Sequence, residues 1–172
     1  MAKQLSHSDK MTIRLADSHQ DIDLLRPVSL ELHAESRFAN IPYSFAKRDK
    51  LFTQAIDSPQ THALILVEYR DQPIGFLFCA IREYIVGTDM LLTTVYSFYV
   101  RKQYRSNAIG GRTALRLLSA AIKWSRARNS KEIMIHVTSG INVQRTDHFL
   151  RRAGFNVIGA NYALQLEQQP SP

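Results

Sequence analysis

The stretch that most constrains this chain is Leu91–Val100, a strand-like run rich in β-branched and aromatic residues, followed directly by a basic loop with two glycines. The loop reads Arg101-Lys102-Gln103-Tyr104-Arg105-Ser106-Asn107-Ala108-Ile109-Gly110-Gly111, and a helical pattern follows over 112–128. Strand, glycine-bearing basic loop and helix in that order make an anion site. The first backbone N–H groups of a helix lack intrahelical acceptors, and the helix dipole favours negative charge there. Glycine lets the backbone approach phosphate oxygens, and Arg105 and Arg112 add charge-assisted donors. No Gly-Lys-Ser/Thr follows, so the loop is not a P-loop. The glycine spacing also fails the dinucleotide fingerprint.

Around this unit the chain alternates short strands and helices. Residues 12–16 alternate as a strand, and Asp17 and Ser18 offer N-cap chemistry for a helix carrying Ile22, Leu25, Val28 and Leu32. Pro27 fits only a first turn or a kink, which leaves that helix start open. Ser44 caps a second helix with Phe45, Leu51, Phe52, Ala55 and Ile56. Residues 63–69 and 74–83 form a hairpin about an Arg70–Pro73 turn, and Gly87-Thr88-Asp89 turns into the long strand. In the helix at 112–128, Leu115, Leu118 and Ile122 form the expected buried stripe, and Trp124 reads as helix packing. A strand at 131–138, a helix at 142–153 and a last strand pair at 156–166 complete an α+β domain with a mixed sheet.

The formal net charge of +7 over 172 residues is unevenly placed. Residues 1–100 hold 10 Lys/Arg against 12 Asp/Glu, a balance of −2; residues 101–172 hold 12 against 3, a balance of +9. A basic half suggests a polyanionic partner: nucleic acid, an acidic surface or a phosphorylated cofactor. The cations Arg112, Arg116, Lys123, Arg126, Arg128 and Lys131 read as spread around a helix and its end, a solvated face that argues against nucleic acid. The single cysteine, Cys79, excludes an intrachain disulfide. With a polar stretch at 1–11 and no run of apolar residues long enough for a membrane, the expectation is a cytoplasmic protein. The six histidines show no ligand spacing, so no metal is expected.

The motif Val100…Arg105-Ser106-Asn107-Ala108-Ile109-Gly110 resembles the main motif of the GNAT superfamily of acyl-CoA N-acyltransferases. Phe149-Leu150-Arg151-Arg152-Ala153-Gly154-Phe155 and Gly159-Ala160-Asn161-Tyr162-Ala163-Leu164 resemble that family's late helix and last strand. The resemblance implies a mostly antiparallel sheet of six to seven strands flanked by about four helices, within a domain at 12–166 between flexible ends at 1–11 and 167–172. It implies acetyl-CoA as cofactor, an amine as acceptor, and direct attack in a ternary complex. Phe98, Tyr99 and Val100 would hold the pantetheine arm together with Asn142, and the run from Arg105 through Ser106, Asn107, Ala108, Ile109, Gly110 and Gly111 to Arg112 would cradle the pyrophosphate. The acceptor would meet Glu31, Arg37, Phe38 and Tyr43. Homodimers built through strands or the final hairpin are frequent in such folds and stay open here.

Three positions depart from the family pattern. Ala108 replaces the usual first glycine, Leu150 stands where a thiolate-protonating tyrosine is common, and Tyr96 stands where a glutamate base is common. Glu31, Glu35, Tyr43, Tyr96 and Ser97 are therefore the alternatives for a base, acting directly or through water, and His148 for the acid. His136, in its strand, reads as structural. The departures keep a second reading in play, a GNAT-fold CoA-binding or regulatory protein with little or no turnover.

Overall fold

The computed structural model describes residues 10–164. Two compact units divide the chain, one up to His136 and one from Val137. The first contains β1 (Met11–Leu15), α1 (His19–Leu24), α2 (Arg26–Glu35), α3 (Phe45–Asp57), β2 (His62–Tyr69), β3 (Gln72–Glu83), β4 (Leu91–Val100), α4 (Ala108–Arg126) and β5 (Glu132–Ile135). The strands form one sheet in the order β1-β2-β3-β4-β5. The first three pairings are antiparallel. β4 and β5 are parallel, joined by the α4 crossover.

β2 and β3 are near-continuous apolar runs because helices cover both faces of the sheet. On one face Leu117, Ala121 and Trp124 of α4 pack with Ile65, Val67, Leu77, Cys79 and Val95. On the other, the Phe52 ring of α3 meets Phe76 and Phe78 at 5.5 Å each. The β2–β3 hairpin turns at Arg70 and Asp71, both with positive φ, the geometry of a two-residue turn that matches strand twist. Pro73, which cannot donate to a ladder, follows where the register shifts between Val67 and Glu68.

The single helix read from Asp17 and Ser18 is two. Leu25, fully buried, closes α1 and opens α2, and Pro27 occupies the first turn of α2, where its missing N–H costs nothing. The Ser18 side chain makes no capping bond. Buried Asp21 instead accepts from Arg14 at 2.6 and 2.8 Å and from the Asp17 N–H at 3.0 Å. The Ser44 cap of α3 is present, its hydroxyl accepting from the Lys47 N–H.

Several expectations are corrected. The sheet has five strands among the described residues, not six to seven, and five α-helices where about four were expected. The expected strand at 131–138 stops at Ile135, leaving His136 exposed beyond it. Residues 156–164 form no strand, and Gln165 and Leu166 of the expected final pair lie outside the described residues. The helix begins at Ala108, four residues before its apolar periodicity suggests, so the two glycines belong to its first turn. Its buried stripe is Thr113, Leu117, Leu118, Ala121 and Trp124; Leu115 is 55% exposed. Among the described residues the second unit carries one helix, α5 (Val143–Arg152), entered through Asn142 in the left-handed region and left through Gly154 at φ +92°.

The placement of α4 predicts a contrast. Leu117→Ala removes a fully buried side chain and should cost about 2–5 kcal/mol, whereas Leu115→Ala should change stability by less than about 0.5 kcal/mol. Paired thermal melts check this.

Candidate functional site

Two features of β4 place the site. The first is a bulge. Phe78 pairs with Ser97 and Cys79 with Val95, so Tyr96 is an extra residue with no partner in β3. Bulges bend a strand and re-aim its side chains. Tyr96 is accordingly 52% exposed, its ring 6.1 Å from Phe78. The second is a loss of pairing: the ladder with β5 runs from Leu92 only to Val95. From Tyr96 to Val100, β3 is the one strand beside β4 among the described residues. The strand thus presents a ladder edge inside the unit, beginning at the bulge.

That edge leads into the basic loop. A short 3₁₀ turn at Lys102–Tyr104 precedes α4, with Tyr104, Arg105 and Asn107 N–H groups bonded to the carbonyls of Arg101, Lys102 and Tyr104. Gly110 is required by close packing: a Cβ there would lie 2.0 Å from the Tyr104 carbonyl oxygen. A Cβ on Gly111 would meet nothing within 4 Å. Ala108 is the first residue of α4 and is not among the positive-φ positions, so alanine keeps the donor that the family glycine supplies. The Asn107 side-chain oxygen accepts from the N–H groups of Ile109 and Gly110 at 3.0 and 3.2 Å. The N–H groups of Ser106 and Ala108 have no acceptor among the described residues. These donors, with the helix dipole behind them and exposed Arg112 one turn on, suit a pyrophosphate.

Arg105 does other work. Its guanidinium donates to both Glu35 oxygens at 2.6 and 3.1 Å and to the Val100 carbonyl at 2.6 Å, and it lies 4.7 Å above the Tyr99 ring. The buried Tyr99 hydroxyl donates to the same carboxylate at 2.5 Å. One turn earlier, Arg101 forms a two-pronged pair with Glu31. The arginine expected to face a phosphate therefore turns inward, and both carboxylates expected to face an amine are ion-paired. Burial raises the Glu35 carboxyl, but the Arg105 and Tyr99 hydrogen bonds outweigh it and hold the group below its ordinary value. Burial and the Glu35 contact push the Tyr99 phenol upward. A carboxylate with both oxygens engaged is a positioning group, not a ready base.

The remaining candidates are placed as follows. Ser97 is half-buried beside Tyr96. Arg37 and Phe38 are exposed and stack on each other at 5.0 Å. Tyr43 packs against His33 and Phe45 at 5.0 and 5.1 Å, its buried hydroxyl without a hydrogen-bond partner among the described residues. Asn142 and exposed His148 belong to the second unit, at the start and middle of α5. Burial raises the Cys79 thiol to about 12, which removes it from nucleophilic chemistry. Sequence reasoning missed Arg101 and the inward turn of Arg105. The available signal was a matched spacing, since Glu31 and Glu35 are four apart and so are Arg101 and Arg105.

Two predictions follow from the geometry. Gly110→Ala should destabilise the fold markedly, whereas Gly111→Ala should be neutral or stabilising by up to about 1 kcal/mol, as thermal melts would show. Glu35→Gln should cost about 1–3 kcal/mol at pH 7. A carboxyl held below its ordinary value stabilises the native state above that value and loses the effect as pH falls through the native one. The gap in melting temperature between wild type and Glu35→Gln should therefore shrink from pH 7 towards pH 3.

The family model described as Acetyltransferase (GNAT) family matches residues 30–155. No curated protein matches the chain in sequence. Among solved structures, an acetyltransferase of Trypanosoma brucei is 14% identical with a TM-score of 0.64, covering 91% of this chain and 100% of its own. The ribosomal-protein-alanine N-acetyltransferase of Brucella melitensis biovar Abortus is 14% identical with a TM-score of 0.64, covering 92% and 100%. AAC(6')-Iy in complex with the bisubstrate analogue CoA-S-monomethyl-acetylneamine is 15% identical with a TM-score of 0.67, covering 92% and 99%. At these identities the likeness is one of fold.

Proposed function

From the premise that this chain belongs to the acetyltransferase (GNAT) family, we propose that it transfers an acetyl group from acetyl-CoA to a primary amine by direct attack in a ternary complex. The observation that carries this reading is the continuity between the bulged edge of β4 and the donor-bearing N-terminus of α4. A CoA-bound structural neighbour adds support for the cofactor.

Bound acetyl-CoA would supply an activated carbonyl and a thiolate leaving group. The chain's part is binding and placement. Ser106 and Ala108 N–H groups would receive pyrophosphate oxygens, with Ile109 and Gly110 joining once the Asn107 side chain swings aside. Backbone groups from Ser97 to Val100 would hold the pantetheine arm as a neighbouring strand does, setting the thioester beside Tyr96. The Arg105–Glu35–Tyr99 cluster fixes the end of β4 so that this geometry is preformed. Holding two reactants in register accounts for much of such a rate. An unperturbed lysine amine, with a pKa near 10.4, is neutral in about one molecule per thousand at pH 7. With Glu31 and Glu35 engaged, the hydroxyls of Tyr96 and Ser97 are left to relay the proton to water.

The test uses a proline. Ala108 occupies the first helical position, where proline is tolerated, and Asn107 before it is extended at φ −123° and ψ 175°, as a residue before proline must be. Ala108→Pro should keep the melting temperature but raise the KM for acetyl-CoA about tenfold or more, the loss of one charge-assisted hydrogen bond. An unchanged KM overturns the cradle. If CoA binding weakens as expected but no amine in a broad panel releases thiol, the second reading applies, a CoA-binding protein with little turnover. The engaged carboxylates are the observation that favours it.

A further inference from the structure

The basic surplus of residues 101–172 exceeds what one cofactor needs, and α4 shows where part of it goes. The helix contains four cations, Arg112, Arg116, Lys123 and Arg126, and no Asp or Glu. At about 100° per residue, Arg116 lies about 40° from Arg112, Lys123 about 20°, and Arg126 about 40° to the other side. All four fall within an arc of about 80°, a single ridge about 21 Å long at 1.5 Å per residue. All four are exposed, as is Ser119 between them. Reading these cations as spread around the helix is thus corrected for the four within it; Arg128 and Lys131 lie beyond its end, and Arg128 donates to the carbonyls of Pro59, Gln60 and Trp124 and stacks on the Trp124 ring.

Arg112 and Arg116 donate to backbone carbonyls, of Ala108 and Met11, and no carboxylate among the described residues pairs with any of the four. Elsewhere in this unit arginines and acids are matched, as in Arg14 with Asp21 and Glu68, Arg26 with Asp49, and Arg101 with Glu31. A straight line of one sign asks for a straight line of the other. A helix that lies on lipid inserts an apolar face, but the apolar face of α4 is spent on the core, leaving Leu115 beside the ridge. Single strands are held by stacking on aromatic rings, and the ridge has none. A duplex backbone carries one phosphate per about 3.4 Å of its axis on each strand, so about 21 Å of axis offers about six phosphates per strand, more than the four cations need.

We propose that the outer face of α4 is a sequence-independent binding surface for the phosphate backbone of a nucleic-acid duplex, sharing only Arg112 with the cofactor cradle at the helix N-terminus. Contacts of this kind position a protein without reading bases.

The test measures fluorescence anisotropy of labelled mixed-sequence duplexes of about 20 base pairs, in DNA and RNA forms, against the full chain over a range of NaCl. Four phosphate contacts give a slope of log Kobs on log[salt] near −3.6, from about −0.9 per contact. Arg116→Gln, Lys123→Gln and Arg126→Gln together should flatten that slope by about 2.7 and leave the melting temperature unchanged. The control pair Lys47→Gln and Lys50→Gln, exposed cations on α3, should leave the slope as it was. Saturating acetyl-CoA should not displace the duplex, and the tighter of the two forms names the source. An unchanged slope in the triple variant, an equal loss in the control pair, displacement by acetyl-CoA, or tighter binding to phosphatidylserine vesicles than to either duplex would each overturn the proposal.

Discussion

The Arg105 guanidinium ties together three elements that share no local sequence. It reaches back to the Val100 carbonyl at the end of β4, across to Glu35 at the end of α2, and over the ring of Tyr99. Each contact is half-buried or better, where charge-assisted hydrogen bonds are strong and an unpaired charge is costly. With the Arg101–Glu31 pair one turn earlier, the cluster determines where the strand stops, how the loop turns and where the N-terminus of α4 points. A loop preformed in this way can offer its N–H groups to an anion without first paying to order them.

The same pairing changes how the charge of the chain is understood. By count, residues 1–100 are mildly acidic and look suited to a cationic amine. In the structure, Asp21, Glu31, Glu35, Asp49 and Glu68 are all matched with arginines, two of which come from the basic half. Net charge by segment is therefore a poor guide to local potential, because partners 70 residues apart cancel where they meet. The α4 ridge is the opposite case. Its cations are close in sequence, share one side of a helix and have no carboxylate partner among the described residues, so they keep their field.

Much of the fold was legible because it rests on local patterns. The bounds of β4, the Ser44 cap, the β2–β3 turn and the helix after the loop all follow from periodicity, capping and turn chemistry over a few residues. The misreadings have equally local causes. The glycines at 110 and 111 read as loop because glycine is a poor helix former, yet Gly110 is there for a close contact with the Tyr104 carbonyl. Leu115 read as buried because leucine at a three-residue spacing from Leu118 looks like a stripe. The true stripe runs through Thr113, Leu117, Ala121 and Trp124, two of them small or polar.

For the site, the division falls between backbone and side chains. The amino-acid sequence by itself determined that a long strand leads through a basic, glycine-bearing loop into a helix, because strand propensity, loop chemistry and helical periodicity each act over neighbouring residues. Tertiary structure alone decided that β4 bulges at Tyr96 and parts from β5 after Val95, that Arg105 faces Glu35, and that no acid among the described residues pairs with the α4 ridge. Those outcomes depend on which groups meet across long separations, and ladder register and ion pairing are settled only when the sheet and helices pack.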